Sequence, residues 1–528
     1  PDGQRVYITG RFEKVNGIER LGSAAFNAST AALLPWTFGP EVYNHGTDAS
    51  INHVQVDERQ VYATAFTYFA SGTGIGNVEG PFAADPITGD INWIGDCHGD
   101  TYGVYLNPGE DHFYVAGHPH MCNNIGEFPE PSRRVHYFAT AFTKDRASVV
   151  TPNTQGGGYA NNEGFGAPAI RNFFPDFTAG TYTGTAQATW NVTGTGDYVS
   201  FGGEFTRVNG VPQQGLVRFA KRHLAPGQQG PQLSGSSINI RARSHARGTV
   251  QVSWPTNQDR DNEWLTYTVL RGPTNNLQEV YSVTARSRFW NRPRLSFTDT
   301  GLSNSTSYTY RVRVTDATGN SVNSSSVNVT TAGASTAPLS DYAKAILDDN
   351  PNNYWRLGET SGVMRDWTSF SDATVGSAVQ RNQPGAIVGD TDRAAYFNGS
   401  SNNSRIYSNN QEYGQDRLSV EAWIRTSSTS GGKIVGFGQT RGTGNSSNHD
   451  RHLYMTPDGR IVWGVYPNGV RTVSSTQSYN DNEWHHVVGT LGAAGMRLYV
   501  DGVEVAANPD VVAGQASRNG YWRIGGDN

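Results

Sequence analysis

Apolar and polar residues alternate in short runs along most of this chain, and Gly, Asn, Asp and Pro break the runs after four to eight positions. Val6-Tyr7-Ile8-Thr9, Thr249-Val250-Gln251-Val252-Ser253-Trp254, Tyr308-Thr309-Tyr310-Arg311-Val312-Arg313-Val314 and Met496-Arg497-Leu498-Tyr499-Val500 all read this way. Period two places one side chain in two on a buried face, so these runs predict half-buried strands. One stretch has helix signals instead. Ser340 is placed to cap a helix over Asp341–Leu347, with an acid in its first turn and Pro351 beyond its end. The expected fold class is all-β.

Two stretches interrupt the strand pattern. Ala225-Pro226-Gly227-Gln228-Gln229-Gly230-Pro231 and Ala332-Gly333-Ala334-Ser335-Thr336-Ala337-Pro338 have linker composition. They divide the chain into expected domains over 1–226, 238–331 and 340–528.

The first domain carries an internal repeat. Gly10-Arg11-Phe12-Glu13-Lys14-Val15-Asn16-Gly17 recurs as Gly203-Glu204-Phe205-Thr206-Arg207-Val208-Asn209-Gly210. Each copy ends in Asn-Gly, a tight hairpin signal. A propeller blade takes about 40–50 residues, so four blade steps fit between the copies. Ile51–Tyr68, Tyr102–Ala116 and Val135–Phe142 read as the strand pairs between them. A radial stack of small sheets is the expected architecture, with a sandwich array as the alternative. The repeat resembles the Gly-x-Phe-x-x-Val-Asn-Gly propeller repeats of large secreted bacterial surface proteins.

In the second domain, Trp254, Leu302 and Tyr308 stand where a fibronectin type III sandwich has its core Trp, a packing Leu and its corner Tyr. The pattern resembles that module, and a spacer is the expected role. Arg286, Arg288, Arg292 and Arg294 read as a solvated hairpin edge.

The third domain carries Tyr354-Trp355-Arg356-Leu357-Gly358-Glu359, Val420-Glu421-Ala422-Trp423-Ile424, Trp484-His485-His486-Val487-Val488 and Leu498-Tyr499-Val500-Asp501-Gly502. In this order they resemble a laminin-G-like, concanavalin-type jelly roll. The resemblance implies glycan or protein binding, and in some relatives one Ca²⁺. Asp366 is the position implied as a calcium ligand, against a plain role capping a turn. The family's closing strand is expected beyond Asn528, and further blades before Pro1, as in a piece of a longer chain. The expected whole is a partial β-propeller followed by a fibronectin III sandwich and a laminin-G-like jelly roll.

Composition narrows the function. Aromatics make up 11% of the chain, with 12 Trp and 25 Tyr, and only 16% of residues are charged. That disfavours disorder as the general state. A net charge of −5 leaves no basic footprint for nucleic acid. No apolar run reaches membrane-spanning length.

Candidate chemistry gathers in Asp96-Cys97-His98-Gly99-Asp100 and His118-Pro119-His120-Met121-Cys122, which hold both cysteines. The hairpin predicted between them would bring its flanks together. A Cys97–Cys122 disulfide is one reading, worth about 3–4 kcal/mol by chain entropy. A tetrahedral zinc site of His118, His120 and Cys122 with Cys97 or His98 is another. In a third, His98, Asp100, His118 and His120 line a ligand pocket on the propeller face. No G-x-S-x-G, H-E-x-x-H, P-loop or sialidase-type S-x-D-x-G-x-T-W motif is present. The expectation is therefore not an enzyme but a secreted or cell-surface binding and adhesion protein. Its partners would be a glycan or a surface protein, with self-association as an option. The alternatives are a structural subunit of a surface filament, appendage or phage-like fibre, and a polysaccharide-active enzyme with appended modules.

Overall fold

A computed structural model describes the chain except residues 1–2, 69–75, 132, 154, 156–157, 274, 400, 443, 468, 516–518 and 527–528. Gly156 and Gly157, in the long Gly- and Asn-rich insertion that the sequence places over 144–195, thus lie outside the described residues. The described chain is nearly all β, with one α-helix, Asp341–Asp348. Ser340 caps it as expected, its Oγ accepting from the Ala343 N–H at 3.3 Å.

Seven sheets are described in the first 220 residues, and four of them succeed one another. These four are Arg5–Thr9 with Ser23–Asn27; Ala49–Val56, Val61–Thr67, Gly80–Ala84 and Ile91–Ile94; Thr101–Leu106, His112–Gly117 and Ala139–Thr143; and Thr189–Thr195, Tyr198–Gly203 and Leu216–Ala220. Arg5–Thr9 packs on Ala49–Val56, which packs on Thr101–Leu106, which packs on Thr189–Thr195. That is the radial succession of a propeller. Side chains of one inner strand satisfy the backbone of the next. His53 Nδ1 accepts from Val104 N at 3.1 Å, and Gln55 Oε1 accepts from Leu106 N at 2.8 Å.

The two repeat copies fold alike. Asn16 and Asn209 both have φ 50°, and the glycines after them have φ 80° and 77°. A non-glycine residue adopts that conformation readily only when it is Asn or Asp. The expected four blade steps are corrected to three. Ala139–Thr143 is not part of a separate pair but the third strand of the Thr101–Leu106 sheet. The Gly- and Asn-rich insertion takes up the length of the missing step, its described residues forming short pairings, Ser148–Val149 with Gly166–Ala167 and Phe177–Ala179 with Phe205–Val208.

The middle module packs Arg241–Arg243, Val250–Pro255 and Arg294–Asp299 against a second sheet built on Trp264–Gly272 and Ser307–Thr315. Trp254 is fully buried between them. The Tyr308 hydroxyl accepts from Ser303 N at 3.2 Å, pinning the corner.

The last module is a face-to-face sandwich. A large sheet runs from Ala373–Val375 to Arg471–Ser478, and a four-stranded one is formed by Leu418–Ile424, His485–Leu491, Met496–Val500 and Val503–Asn508. Trp463, Leu453, Val487 and Leu498 fill the space between them. The strand Asn519–Ile524 lies inside the large sheet, between Ile406–Ser408 and Gly432–Gly438.

The middle module is docked on both neighbours, and of its four clustered arginines Arg286 is exposed on an edge strand as expected, while Arg288 is buried and Arg292 and Arg294 are half-buried. Phe128, Tyr137 and Phe174 of the propeller pack against Phe289 and Trp290. Arg288 is buried there and pairs with Glu127. On the other side, Arg241 donates to the carbonyls of Ser369 and Phe370, and Arg243 pairs with Asp372 at 2.7 Å. Arg294 lies over the Phe370 ring. Apolar burial, with a buried charge pair on the propeller side and a partly exposed one on the other, holds the three modules in one arrangement.

Candidate functional site

The two flanks of the Thr101–Leu106 and His112–Gly117 hairpin do meet. His118 N donates to Asp100 O and His120 N to His98 O, each at 2.8 Å. A Cβ on Gly99 would stand 2.4 Å from the His118 carbonyl oxygen, so the approach requires glycine. Cys97 and Cys122 form a disulfide in the core. This overturns the zinc reading, because bridged sulfurs are not thiolate ligands. Among the described residues no group of three or more His, Cys, Asp or Glu is arranged to hold a metal ion.

The four candidate ligand residues separate into two environments. His98 and His120 are buried, at 2% and 4% exposure. His98 stacks on Tyr159 with ring centroids 3.7 Å apart. Asn124 Nδ2 reaches both His98 Nε2 and the Asp96 carboxylate. Burial, with His120 and Arg134 adding to it, pushes His98 down to about 3. His120 faces Glu130 at 3.2 Å, yet burial and Arg134 push it down to about 4. Both rings are neutral at physiological pH and serve as packing.

Asp100 and His118 are the accessible pair, their nearest side-chain atoms 4.0 Å apart. Asp100 accepts from the Tyr102 hydroxyl at 2.8 Å. Its carboxyl also meets Glu79, which takes the Gly99 N–H at 3.0 Å. Burial, and then the Asp100 charge, hold the Glu79 pKa well above the usual carboxyl range. The Tyr102 ring lies 4.8 Å from that of Trp190, which is 38% exposed. His118 Nδ1 is bonded to Gln187 Oε1. Each of these groups stands at or beside a strand end in the second, third or fourth sheet. Glu79, Tyr102, Gln187 and Trp190 were missed from sequence. The one available signal was the neighbourhood of Tyr102 to Asp100.

Asp366 is fully buried, and donors occupy both of its carboxylate oxygens. Oδ1 accepts from the N–H groups of Tyr354 and Thr368, and Oδ2 from those of Phe370 and Ser371. The Thr368 hydroxyl is shared between them. Calcium needs free oxygens facing one point, so this carboxylate does not fit a calcium ligand. It ties a turn instead. Of the aromatics on this module, Trp463 is core, its Nε1 donating to Thr490 O. Trp367 lies between His245 and Arg356 at the module junction.

A family model of the concanavalin A-like lectin/glucanases superfamily, of laminin-G type, matches residues 398–528. Curated proteins yield no match to the chain. Among solved structures, it is similar to a human fibronectin type III domain at 22% identity, covering 21% of this chain and 95% of that one, with a TM-score of 0.17. Domains LG4-5 of the mouse laminin alpha1 chain are 16% identical, covering 58% and 86%, with a TM-score of 0.21. A Trypanosoma rangeli sialidase in complex with sialic acid is 11% identical, covering 100% and 93%, with a TM-score of 0.28.

Proposed function

We propose that this chain is a non-catalytic extracellular binding protein that holds a glycan or a glycan-bearing surface protein. The observation that carries the reading is the contact of the exposed Trp190 ring with the half-buried Tyr102 ring, bordered by Asp100 and His118. Aromatic faces accept the C–H face of a sugar ring, while acid and imidazole groups bond its hydroxyls. The concanavalin-type module supplies a second contact surface. Glycoside hydrolysis needs two carboxyl groups about 5–10 Å apart across the scissile bond. Glu79 and Asp100 instead stand in direct contact, which favours binding over cleavage. A buried disulfide suits an oxidising, extracellular location.

A glycan array probed with the whole chain tests this. Binding to a defined set of glycans, weakened about tenfold or more by Trp190→Ala or Asp100→Asn, supports it; two lost contacts of this kind are worth about 1–3 kcal/mol. Silence across the array removes the glycan reading. The tightly docked modules favour one further role, a rigid subunit of a surface fibre. Ordered polymers of the purified chain in electron micrographs would support that role.

A further inference from the structure

The four-stranded sheet of the terminal module buries one face and turns the other outward. Leu418, Leu491, Met496 and Leu498 point into the sandwich. Side chains alternate across a strand, so Ser419, Thr490 and Arg497 turn to the opposite face. Register sets these three side by side, Ser419 pairing with Thr490 and Thr490 with Arg497. A shallow cleft of about 420 Å³ opens at this row, and Arg417 and the Gly492-Ala493-Ala494-Gly495 turn stand around it.

The cleft has one sign of charge. Two arginines and two hydroxyl side chains are among its described lining residues, and no acidic side chain is. Arg417 is exposed and, among the described residues, pairs with no acid. Arg497 donates to Glu504 at 2.6 Å, but both members of that pair are more than a third exposed. An exposed pair holds its partners weakly, and a guanidinium has N–H groups to spare for a second acceptor. Part of the wall is bare backbone. A Cβ added to Gly492 would meet nothing within 4 Å.

Two guanidiniums on one cleft suit an oxyanion, because each planar fork matches a carboxylate or sulfate through paired N–H groups. A bare ion would leave most of this cleft empty, whereas the sugar ring that carries it fills the rest and meets the Ser419 and Thr490 hydroxyls. The same face runs on from Ser419 through Glu421 to Trp423, roughly 13 Å at the usual strand rise. Trp423 is 37% exposed and stacks on His486, with ring centroids 5.1 Å apart. Glu421, between them, is turned to His486 at 3.3 Å. An aromatic ring the length of a short oligosaccharide away from a cationic cleft favours a glycan over a free anion. We propose that the cleft holds the carboxylate or sulfate group of an acidic glycan, clamped by Arg417 and Arg497. This rests on the reading of the chain as a glycan-binding protein and gives the terminal module a site separate from the Tyr102–Trp190 surface.

Calorimetric titration of the whole chain with hexasaccharides of unsulfated chondroitin and of chondroitin sulfate tests this, with neutral cellohexaose, inorganic sulfate and a hexaglutamate peptide alongside. At least one acidic hexasaccharide binds, and the pair tells carboxylate from sulfate. Arg417→Gln and Arg497→Gln each weaken that binding by on the order of tenfold, as expected for a lost charge-assisted hydrogen bond. Gly492→Leu has open space for its side chain and obstructs the cleft, so it folds and abolishes the binding. Trp190→Ala leaves the binding intact. No binding of either acidic hexasaccharide at millimolar concentration overturns the proposal, as does wild-type affinity in the Arg417, Arg497 and Gly492 variants. Inorganic sulfate binding as tightly as the hexasaccharides, or hexaglutamate binding in their place, overturns it too. Neutral-glycan binding that Trp190→Ala weakens, beside silence of the acidic probes, overturns this site alone, whereas silence of every glycan overturns the glycan reading with it.

Discussion

Arg288 and Glu127 stand 161 positions apart in the chain and meet at 2.6 Å, with only 9% and 11% of their side chains exposed. Arg288 also donates to the Ile170 carbonyl at 2.9 Å and pairs with Glu263 at 3.0 Å. One guanidinium therefore ties a loop of the middle module to two propeller segments.

Removing one member of such a pair leaves the other buried without its counter-charge. Glu127→Ala is expected to destabilise the junction by about 2–4 kcal/mol, the lower part of the usual range because Glu263 still holds Arg288. Arg288→Met combined with Glu127→Leu removes both charges and is expected to recover most of the loss. Two separated unfolding transitions in Glu127→Ala, against fewer in wild type and in the double variant, would show it in calorimetry. Equal stability of all three would refute the junction's dependence on the pair.

What the sequence made legible follows from the range of each interaction. Asn16-Gly17 and Asn209-Gly210 were readable because a hairpin turn is decided by the two residues that form it. Cys97 and Cys122 were readable because one short hairpin separates them. Arg288 was misread as a solvated edge because its partner Glu127 lies in another module, and no local pattern records such a distance. Glu79 and Trp190 were invisible for the same reason. Each reaches the Asp100 neighbourhood from a different sheet, set there by the radial stacking of the sheets. The blade steps were overcounted because the insertion mimics a blade in length but has few alternating residues to form strands.

Glu79 makes the propeller face sensitive to pH. Its folded pKa is raised, so between the unfolded value of about 4.3 and the folded one the native state holds the extra proton. Stability therefore falls as pH rises through that window. Glu79→Gln keeps an acceptor for Gly99 N and a donor for Asp100 but has no proton to lose. The variant is expected to match wild type near pH 4 and to exceed it progressively as pH rises through that window. Urea midpoints at pH 4, 7 and 9 measure this, and a variant weaker than wild type at pH 9 would contradict it.

Asp366 holds the turn on which the middle module docks, since Ser253 and Arg241 bond to the carbonyls of Thr368, Ser369 and Phe370 just after it. Asp366→Asn is nearly isosteric but presents one NH₂ group to N–H donors. The N–H groups of Phe370 and Ser371 then lose their acceptor, at about 1–3 kcal/mol each. A loss of roughly 2–6 kcal/mol is expected, with no calcium response that depends on this side chain. Denaturation of the variant with and without calcium reads both quantities. A calcium response lost together with this side chain would restore it as a ligand.

His485 lies between two acids of the terminal module, Asp501 at 2.7 Å and Asp481 at 3.1 Å. Burial opposes its charge, but the hydrogen bonds it donates to Asp501 and Asp481 outweigh that, and its pKa is raised. A histidine with a raised folded pKa contributes stability in full below the unfolded value of about 6.5, and the contribution is lost as pH rises through the folded value. The site is partly exposed, so solvent screening keeps the contribution to about 0.5–1 kcal/mol. Asp501 also accepts from His486 N at 2.9 Å, so it stays anchored in its turn when the imidazole is replaced. His485→Gln is therefore expected to lower the urea midpoint at pH 5.5 and to approach wild type by pH 9. A deficit that stays constant across that range would mean that the imidazole acts by packing against Tyr479, 5.0 Å away, and not by its charge.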